Sequence, residues 1–394
     1  LDADSGKLLW QFSTGGRLDS PPTVVGSIAV FGCRDGNVYA LRARDGELVW
    51  RFRAAPRDRW LYVEGQMESV WPVHGSVLAD DGTICFAAGR NSYVDGGVFM
   101  YRLDLRTGEP LVEKRFCSRD PETGARVNLF PPYDAELLPD RELPGVLPDV
   151  PSSDGENIWM RSVTFDQSLD IKEEYPPHLF CSMGFLDNSW WELTYWIYGR
   201  HFFSGRKGVN YAKAVSPSGR IMVFDDSRAY GYKDETWTGT YGCQPGLFST
   251  RRWPPNLIEI DLRKYKRGAY RRARHTTVKP DWRRDVPLLP NAMVLCGDTL
   301  FVACPRGFDQ DKAASYLGTT KVYTRPVPPA MREGLARWKG AEPGCLLAVD
   351  KATGKTRIEY ELPSVPTFDG MIAAEGSLYF SLKDGRVACM TNRR

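Results

Sequence analysis

Aromatic side chains with charged neighbours are concentrated in residues 184–205, the part of the chain best suited to hold a planar or chain-like ligand. This stretch contains eight Phe, Tyr and Trp side chains. On a strand, successive side chains point to opposite faces, and here both faces would be largely apolar. We favour packing between neighbouring sheets, and the competing interpretation is a platform for a sugar or a peptide. The platform would use Asp187, Trp190, Trp191 and Arg200.

A second set of candidate binding residues lies between Trp71 and Gly97. Trp71 and His74 fall in a predicted strand, and the loop Gly89–Gly97 (GRNSYVDGG) follows the next one. A packing role for Trp71 and a hydrogen-bonded core role for His74 are the simpler interpretations. If a ligand binds at the aromatic platform, the loop would supply its polar partners Arg90, Asn91 and Asp95.

Residue types that form catalytic and metal centres are present, but their spacing does not favour such a centre. Calcium takes six to eight oxygen ligands, and Asp187, Asn188 and Glu192 offer only three side chains. The four histidines are far apart, and no two of the nine cysteines are adjacent or spaced as C-x-x-C. Phosphate-loop and hydrolase motifs are missing from the sequence. We predict no catalytic residues and no metal site, and mostly buried thiols, with a disulfide or two left open.

Charge is unevenly distributed along the chain. The formal net charge is +3, whereas Arg251–Arg284 alone carries twelve Lys and Arg against three acidic residues, and Ser118–Glu156 is acidic and rich in proline. Tyr265, Tyr270 and Trp282 are interleaved with the basic residues, a composition typical of polyanion contact. Its candidate residues are Lys264, Lys266, Arg267, Arg271 and Arg272. We favour the alternative, a solvated excursion held by salt bridges to the acidic stretch.

The element that must position these residues is a repeated β-hairpin. Leu1–Phe12 (LDADSGKLLWQF) recurs as Leu41–Phe52 (LRARDGELVWRF), and looser copies follow at Leu103–Val112 and Val349–Ile358. Each turn carries a glycine where the backbone requires a positive φ. These glycines are Gly6, Gly46, Gly108 and Gly354. Three further short strands precede the second copy, which gives four antiparallel strands per period of about 40 residues.

This period predicts an all-β fold, a β-propeller of four-stranded antiparallel blades. We count six blade equivalents, of which the second opens with a strand at Trp71–Leu78 and the fourth with one at Tyr211–Val215. The last blade has three strands, and Lys7–Phe12 is its predicted fourth strand, so that the two ends of the chain close the ring. Because Leu1 lies inside a hairpin, we expect upstream sequence to be missing, and the native ring would then have seven or eight blades.

The whole chain, residues 1–394, is predicted to be one propeller domain. Three surface inserts interrupt the blades, namely the acidic stretch 118–156, the basic stretch 251–284 and residues 305–344. No apolar run approaches the 18 residues that a membrane-spanning helix requires.

The unit Pro21–Phe52 (PPTVVGSIAVFGCRDGNVYALRARDGELVWRF) resembles the PQQ-binding-like β-propeller repeat. The resemblance is close over Leu1–Phe52, Gly344–Glu361 and Phe368–Cys389, and only the hairpin rhythm persists between residues 118 and 340. The pairs Asp35-Gly36 and Asp384-Gly385 occupy the same blade position. Quinone-dependent dehydrogenases share this repeat with non-catalytic scaffolds such as the propeller lipoprotein of outer-membrane protein assembly.

The resemblance implies a periplasmic or secreted protein. We expect a non-catalytic scaffold that binds a protein or polysaccharide through loops at the channel mouth. The alternative is an oxidoreductase dependent on pyrroloquinoline quinone (PQQ) and calcium, but the adjacent cysteines and haem motif of many such enzymes are missing here. We therefore expect no cofactor. Polyanion binding by the basic stretch is a weaker alternative, and we expect neither a nucleic-acid partner nor a membrane span.

Overall fold

The computed structural model describes most of the chain in two compact units. Unit 1 comprises Leu1–Phe180 and Gly184–Leu186, and unit 2 comprises Cys181–Met183 and Asp187–Arg394. The single-domain organisation stays a prediction. The described residues are 1–63, 65–120, 122–125, 127, 129, 145–161, 163–172, 177–181, 184–185, 196–199, 216–233, 246–252, 280–284, 289–306 and 329–391. Within them, no helix has the length and apolar character needed to cross a bilayer.

Unit 1 contains two four-stranded antiparallel blades in which each strand pairs with the next along the chain. The first blade is β1 (Thr23–Val25), β2 (Ile28–Gly32), β3 (Asn37–Arg42) and β4 (Leu48–Arg53). A separate two-stranded hairpin follows, formed by β5 (Trp60–Val63) and β6 (Gln66–Ser69). The second blade is β7 (Leu78–Asp80), β8 (Thr83–Ala88), β9 (Val98–Asp104) and β10 (Pro110–Phe116). Shorter strands come next: β11 (Ser152–Ser153), β12 (Ile158–Met160), β13 (Val163–Phe165) and β14 (His178–Cys181).

Unit 2 also has two blades of four consecutive antiparallel strands. The pair β15 (Trp196–Gly199) and β16 (Ser218–Gly219) precedes them. One blade is β17 (Ile221–Phe224), β18 (Arg228–Lys233), β19 (Gly246–Arg251) and β20 (Trp282–Arg284). The other is β21 (Ala292–Cys296), β22 (Thr299–Pro305), β23 (Gly344–Asp350) and β24 (Thr356–Leu362), with α1 (Pro329–Trp338) between β22 and β23. The final sheet is β25 (Pro366–Ala374), β26 (Ser377–Leu382) and β27 (Val387–Thr391).

The four hairpin glycines have the positive φ that the repeat predicts. Their φ angles are +69° at Gly6, +73° at Gly46, +74° at Gly108 and +70° at Gly354. At the last three, an added Cβ would overlap the indole ring of Trp10, Trp50 or Trp282 respectively. These turns therefore need glycine for the backbone angle and for the room that a tryptophan takes up.

Each of those tryptophans comes from the segment or strand that precedes the blade it contacts. Trp10 Nε1 donates to Ala43 O at 2.9 Å, Trp50 Nε1 to Leu105 O at 3.0 Å, and Trp282 Nε1 to Lys351 O at 2.9 Å. In every case the acceptor lies three residues before the turn glycine. Between the first two blades, Phe52 packs edge-on to Tyr101 with ring centroids 5.1 Å apart. The repeats are thus joined to one another by a buried apolar layer and one indole hydrogen bond each.

Two strand predictions differ from the structure. The predicted strand Trp71–Leu78 is wrong, because the second blade begins only at Leu78, while Trp71 and Val73 pack into the core from a bent segment. The strands predicted for the fourth blade also differ from the observed ones. The blade starts at Ile221, and its outer strand is Trp282–Arg284, within the basic stretch. Tyr211–Val215 lies outside the described residues.

The insert 305–344 contributes the helix α1 to unit 2. Lys383 Nζ donates to Trp338 O at the end of α1 at 2.6 Å and lies 4.2 Å from the centre of the Trp338 ring. Burial, assisted by the nearby charge of Arg220, lowers the pKa of the Lys383 amine to about 8. The helix is therefore attached to the turn after β26.

The cysteines in the described residues are all free thiols, as most of them were expected to be. Cys33, Cys85 and Cys304 are buried as predicted, whereas Cys389 is exposed on β27. This difference arises because β27 is the outermost strand of a three-stranded sheet. Lys7–Phe12 is not in a strand, and closure of the ring by the two chain ends stays a prediction.

Candidate functional site

The β5–β6 hairpin of unit 1 has one face turned to the protein body and one that, apart from the buried Ser69 at its base, is turned to solvent. Cross-strand partners share a face, and the register pairs Leu61 with Glu68 and Tyr62 with Met67. Leu61 packs against the core and Glu68 is buried. On the opposite face Trp60 is 44% exposed, Tyr62 72% and Met67 54%. The hairpin thus carries a small apolar surface that nothing in the described part of the chain covers.

A buried carboxylate holds this hairpin on the two blades. Arg34 Nη1 donates to Glu68 Oε2 at 2.6 Å, and Arg90 Nη2 donates to Glu68 Oε1. Arg34 also donates to Asp19. Burial would raise the pKa of the Glu68 carboxyl, but the hydrogen bonds from Arg34 and Arg90 hold it below its usual value. Since Arg34 follows β2 and Arg90 follows β8, the carboxylate fastens the hairpin to both blades at once.

Trp71 joins the base of the hairpin to the loop Gly89–Gly97. Its side chain is 4% exposed, and its Nε1 donates to Asp95 O at 2.8 Å. The Arg59 guanidinium lies 5.8 Å from the centre of the Trp71 ring and 4.0 Å from Asp95 Oδ1. The indole is therefore engaged at its edge and on its ring by the protein itself.

The protein body also determines the state of two other candidate residues of this region, Asn91 and His74. Asn91 Oδ1 accepts a hydrogen bond from Tyr93 N at 2.8 Å, which closes a turn in the loop. Burial, followed by the positive charge of Arg34, lowers the pKa of His74 to about 4. The His74 ring is therefore neutral at physiological pH.

The structure brings together the candidates that lie within the described part of unit 1. Arg90 and Trp71 hold the hairpin and the loop in place, and Asp95 accepts a hydrogen bond from Trp71 and forms a long ion pair with Arg59. Their role in ligand binding stays a prediction. The remaining candidates lie outside the described residues: Asp187, Trp190, Trp191, Arg200, Lys264, Lys266, Arg267, Arg271 and Arg272.

The exposed residues of the hairpin were not among the sequence candidates. The sequence of the segment Trp60–Ser69 (WLYVEGQMES) nevertheless indicates a hairpin. Two four-residue segments suited to strands flank the dipeptide Glu64-Gly65, which is suited to a turn. Gly65 has a φ of +83°, which suits a two-residue hairpin turn. Alternation from that turn places Trp60, Tyr62 and Met67 on one face.

The chemistry available on this face is that of binding. Indole, phenol and thioether groups offer apolar contact area. Within the residues that the structure describes, no three His, Cys, Asp or Glu side chains are grouped so that they could hold a metal ion.

Residues 1–169 match the model of a PQQ-repeat family described as outer membrane protein assembly factor BamB. A comparison with curated proteins finds no match. Among solved structures, BamB from Moraxella catarrhalis is 11% identical, with a TM-score of 0.49, over 99% of this chain and 87% of that one.

Two further solved structures are similar at lower scores. The computationally designed Ika8 protein is 10% identical over 98% of this chain and 100% of that one, with a TM-score of 0.35. The quinohemoprotein alcohol dehydrogenase ADHIIG from Pseudomonas putida HK5 is 11% identical over 94% of this chain and 56% of that one, with a TM-score of 0.34.

The family match covers the stretch in which the sequence repeats are clearest. It contains both described four-stranded blades of unit 1 and two of their tryptophan–glycine contacts. The β-propeller fold class of the sequence analysis is confirmed. Residues 1–169 therefore match a PQQ-type propeller repeat family, as their repeated hairpins predicted.

Proposed function

We propose that this protein is a non-catalytic propeller scaffold that binds a protein partner through the outward face of the β5–β6 hairpin. The observation that carries the proposal is the placement of Trp60, Tyr62 and Met67 on one side of a hairpin whose other side is anchored. Aromatic residues and methionine are enriched where proteins bind one another. An anchored hairpin also loses little conformational entropy when a partner binds.

The family description supports two further parts of the proposal. A factor of outer-membrane protein assembly works on proteins, so we propose a protein partner and not a polysaccharide. The same description supports a periplasmic location. We also propose that the protein works without PQQ or calcium, because the indole of the candidate binding residue Trp71 is buried and bonded to the loop, and so is not free to stack on a planar cofactor.

Photo-crosslinking in intact source cells tests the proposal. A photoreactive phenylalanine analogue replaces Tyr62, and crosslinked products are resolved by size and identified by mass spectrometry. We expect a discrete adduct between this chain and one other protein. Adducts with sugar only, or none at all, would refute the proposed function.

A matched control uses Tyr360, which is exposed on β24 of unit 2. The same analogue at that position should give no discrete adduct, since the proposal places the partner at the hairpin. Native mass spectrometry of the gently purified protein provides an independent check. Retained quinone or calcium would contradict the absence of a cofactor.

A further inference from the structure

The hydrogen-bonding pattern of the β5–β6 hairpin determines which of its backbone groups are left free. In an antiparallel pair, opposed residues alternate between those that exchange hydrogen bonds and those that point their N–H and C=O groups away from the partner strand. The two-residue turn makes Val63 and Gln66 a bonded pair, so Leu61 and Glu68 are bonded as well. Val70 N donates to Arg59 O at 2.9 Å, which continues the same alternation.

Trp60 and Tyr62 therefore turn their backbone N–H and C=O groups outward, along the free edge of β5. On the other edge, Ser69 N of β6 donates to Arg34 O at 2.8 Å, so the first blade already occupies part of that edge. The sheet has only two strands, and no described residue pairs with the backbone of Trp60 or Tyr62 on the β5 edge. The two residues with outward backbone groups also carry exposed aromatic side chains.

We propose that the free edge of β5 takes up an extended, acidic segment of the partner as a third strand. This inference rests on the proposed protein-binding function and specifies its mode. An added strand gains affinity from main-chain hydrogen bonds and selectivity from alternate side chains. Here the backbone N–H and C=O groups of Trp60 and Tyr62 would form hydrogen bonds with the main chain of the partner segment. Their rings would contact every second side chain of that segment, on the outward face.

Charge near the edge selects the kind of segment. Residues 51–67 contain Arg51, Arg53, Arg57 and Arg59 against Asp58 and Glu64. Arg57 is exposed, lies three residues before the start of β5 and makes no ion pair with the described residues, and Asp58 accepts a hydrogen bond from the Trp60 indole at 2.7 Å. Residues 51–67 therefore have a formal net charge of +2, which favours carboxylates in the partner and disfavours a second copy of this edge.

A phage-displayed library of random heptapeptides tests the proposal on the whole chain. We expect selection on the wild-type protein to enrich peptides that alternate apolar and acidic residues. The Tyr62→Pro variant removes the outward N–H without taking a bond from the β5–β6 ladder. It should reduce the affinity of a selected peptide by about tenfold or more, which is the loss expected for a central contact.

Tyr62→Ala is the matched control, because it removes the ring and keeps the N–H. It should retain preference for the selected peptide over the same peptide with N-methylated alternate residues, whereas Tyr62→Pro should not. Protection of the Leu61 and Glu68 amides from hydrogen exchange verifies that the hairpin of each variant is intact. Arg57→Glu brings the net charge of residues 51–67 to zero and should abolish the preference for acidic over basic peptides.

Two results would overturn the inference. One is an equal enrichment of peptides on wild type and on Tyr62→Pro with an intact hairpin, and the other is concentration-dependent dimerisation abolished by Tyr62→Pro. A separate experiment tests the proposed protein binding independently of strand addition. If a crosslinker at position 60 still yields the protein adduct in a Tyr62→Pro background, a partner binds the hairpin but not by strand addition.

Discussion

Unit 1 contains two kinds of short hairpin, each with a glycine at positive φ and a nearby tryptophan. The tryptophan is packed against the glycine in one kind and exposed in the other. In the blade turn at Gly46, the ring of Trp10 covers the glycine, and its indole bonds to the backbone of the turn. In the β5–β6 turn at Gly65, the nearest group is the Tyr62 hydroxyl, 3.9 Å from where a Cβ would lie. Trp60 there is exposed and bonds to its own neighbour Asp58.

The blade hairpin therefore packs against a neighbouring repeat, whereas the β5–β6 hairpin presents its aromatic side chains to solvent. A tryptophan that crosses to the next repeat joins the two repeats. A tryptophan that bonds within its own segment leaves its ring available to another molecule. Substitutions at equivalent places in the two hairpins should therefore differ in effect.

The largest difference is expected for valine at the two glycines. Gly46→Val adds a branched side chain at positive φ and drives it into the Trp10 ring, and we expect a loss of about 3 kcal/mol in the free energy of unfolding. Gly65→Val has the backbone strain without the overlap, for which we expect about 1 kcal/mol. Urea unfolding of both variants measures this. Equal losses would mean that the Trp10 contact contributes nothing.

The anchored side of the β5–β6 hairpin should be the next most sensitive. Glu68→Gln removes the charge that two guanidinium groups share, and we expect a loss of about 2 kcal/mol, less than for a fully buried pair because both arginines are partly exposed. The depressed pKa of Glu68 also gives a pH dependence. Its stabilisation is present above the usual carboxyl pKa and is lost as pH falls through the lowered value.

Unfolding of wild type and Glu68→Gln across acidic pH tests that dependence. The gap in unfolding free energy should stay constant above pH 4.5, the ordinary value for Glu, and narrow below it. A gap that widens on acidification would contradict the arginine contacts.

The strands and turns of the clearest repeats could be predicted from sequence, because local rules decide them. The strand Thr356–Leu362 and the positive φ of Gly46 follow from alternation and turn chemistry alone. The same rules wrongly predicted a strand at Trp71–Leu78. Its apolar residues are buried without forming a strand, because a bend carries them into the core.

The site was less predictable, because its contacts join residues far apart in the chain. The residue type of Arg90 does not indicate that its guanidinium forms an ion pair with Glu68, 22 positions earlier. An arginine beside a loop is equally suited to a ligand and to a buried carboxylate. The exposed face of β5, in contrast, follows from alternation around a two-residue turn once that turn is recognised.

His74 provides a smaller, pH-dependent test of the anchored region. Its pKa of about 4 in the folded protein is below the ordinary 6.5, so the unfolded chain takes up a proton first as pH falls. We expect wild type to lose stability relative to His74→Gln between pH 6.5 and pH 4, on the order of 2 kcal/mol in total. Above pH 6.5 the difference should be flat. Parallel pH profiles of the melting temperature would contradict a neutral imidazole with a lowered pKa.

The presented face should respond least in stability and most in binding. Trp60→Ser and Met67→Ser change exposed side chains, and we expect each to alter the free energy of unfolding by less than about 0.5 kcal/mol. The same substitutions should weaken the adduct formed from position 62. Trp50→Ser is the matched control, since Trp50 bonds to Leu105 of the next blade. It should lower stability and leave crosslinking by the folded protein unchanged.

An open strand edge normally carries a risk for solubility, because it can template pairing between identical chains. The β5 strand limits that risk by its length, since Trp60–Val63 is four residues and only two of them face the edge. Pro56, Arg57 and Arg59 precede it, and proline and like charges act as gatekeepers against aggregation. The hairpin can therefore remain accessible in a crowded compartment without seeding fibrils, and a longer, uncharged β5 would lose that protection.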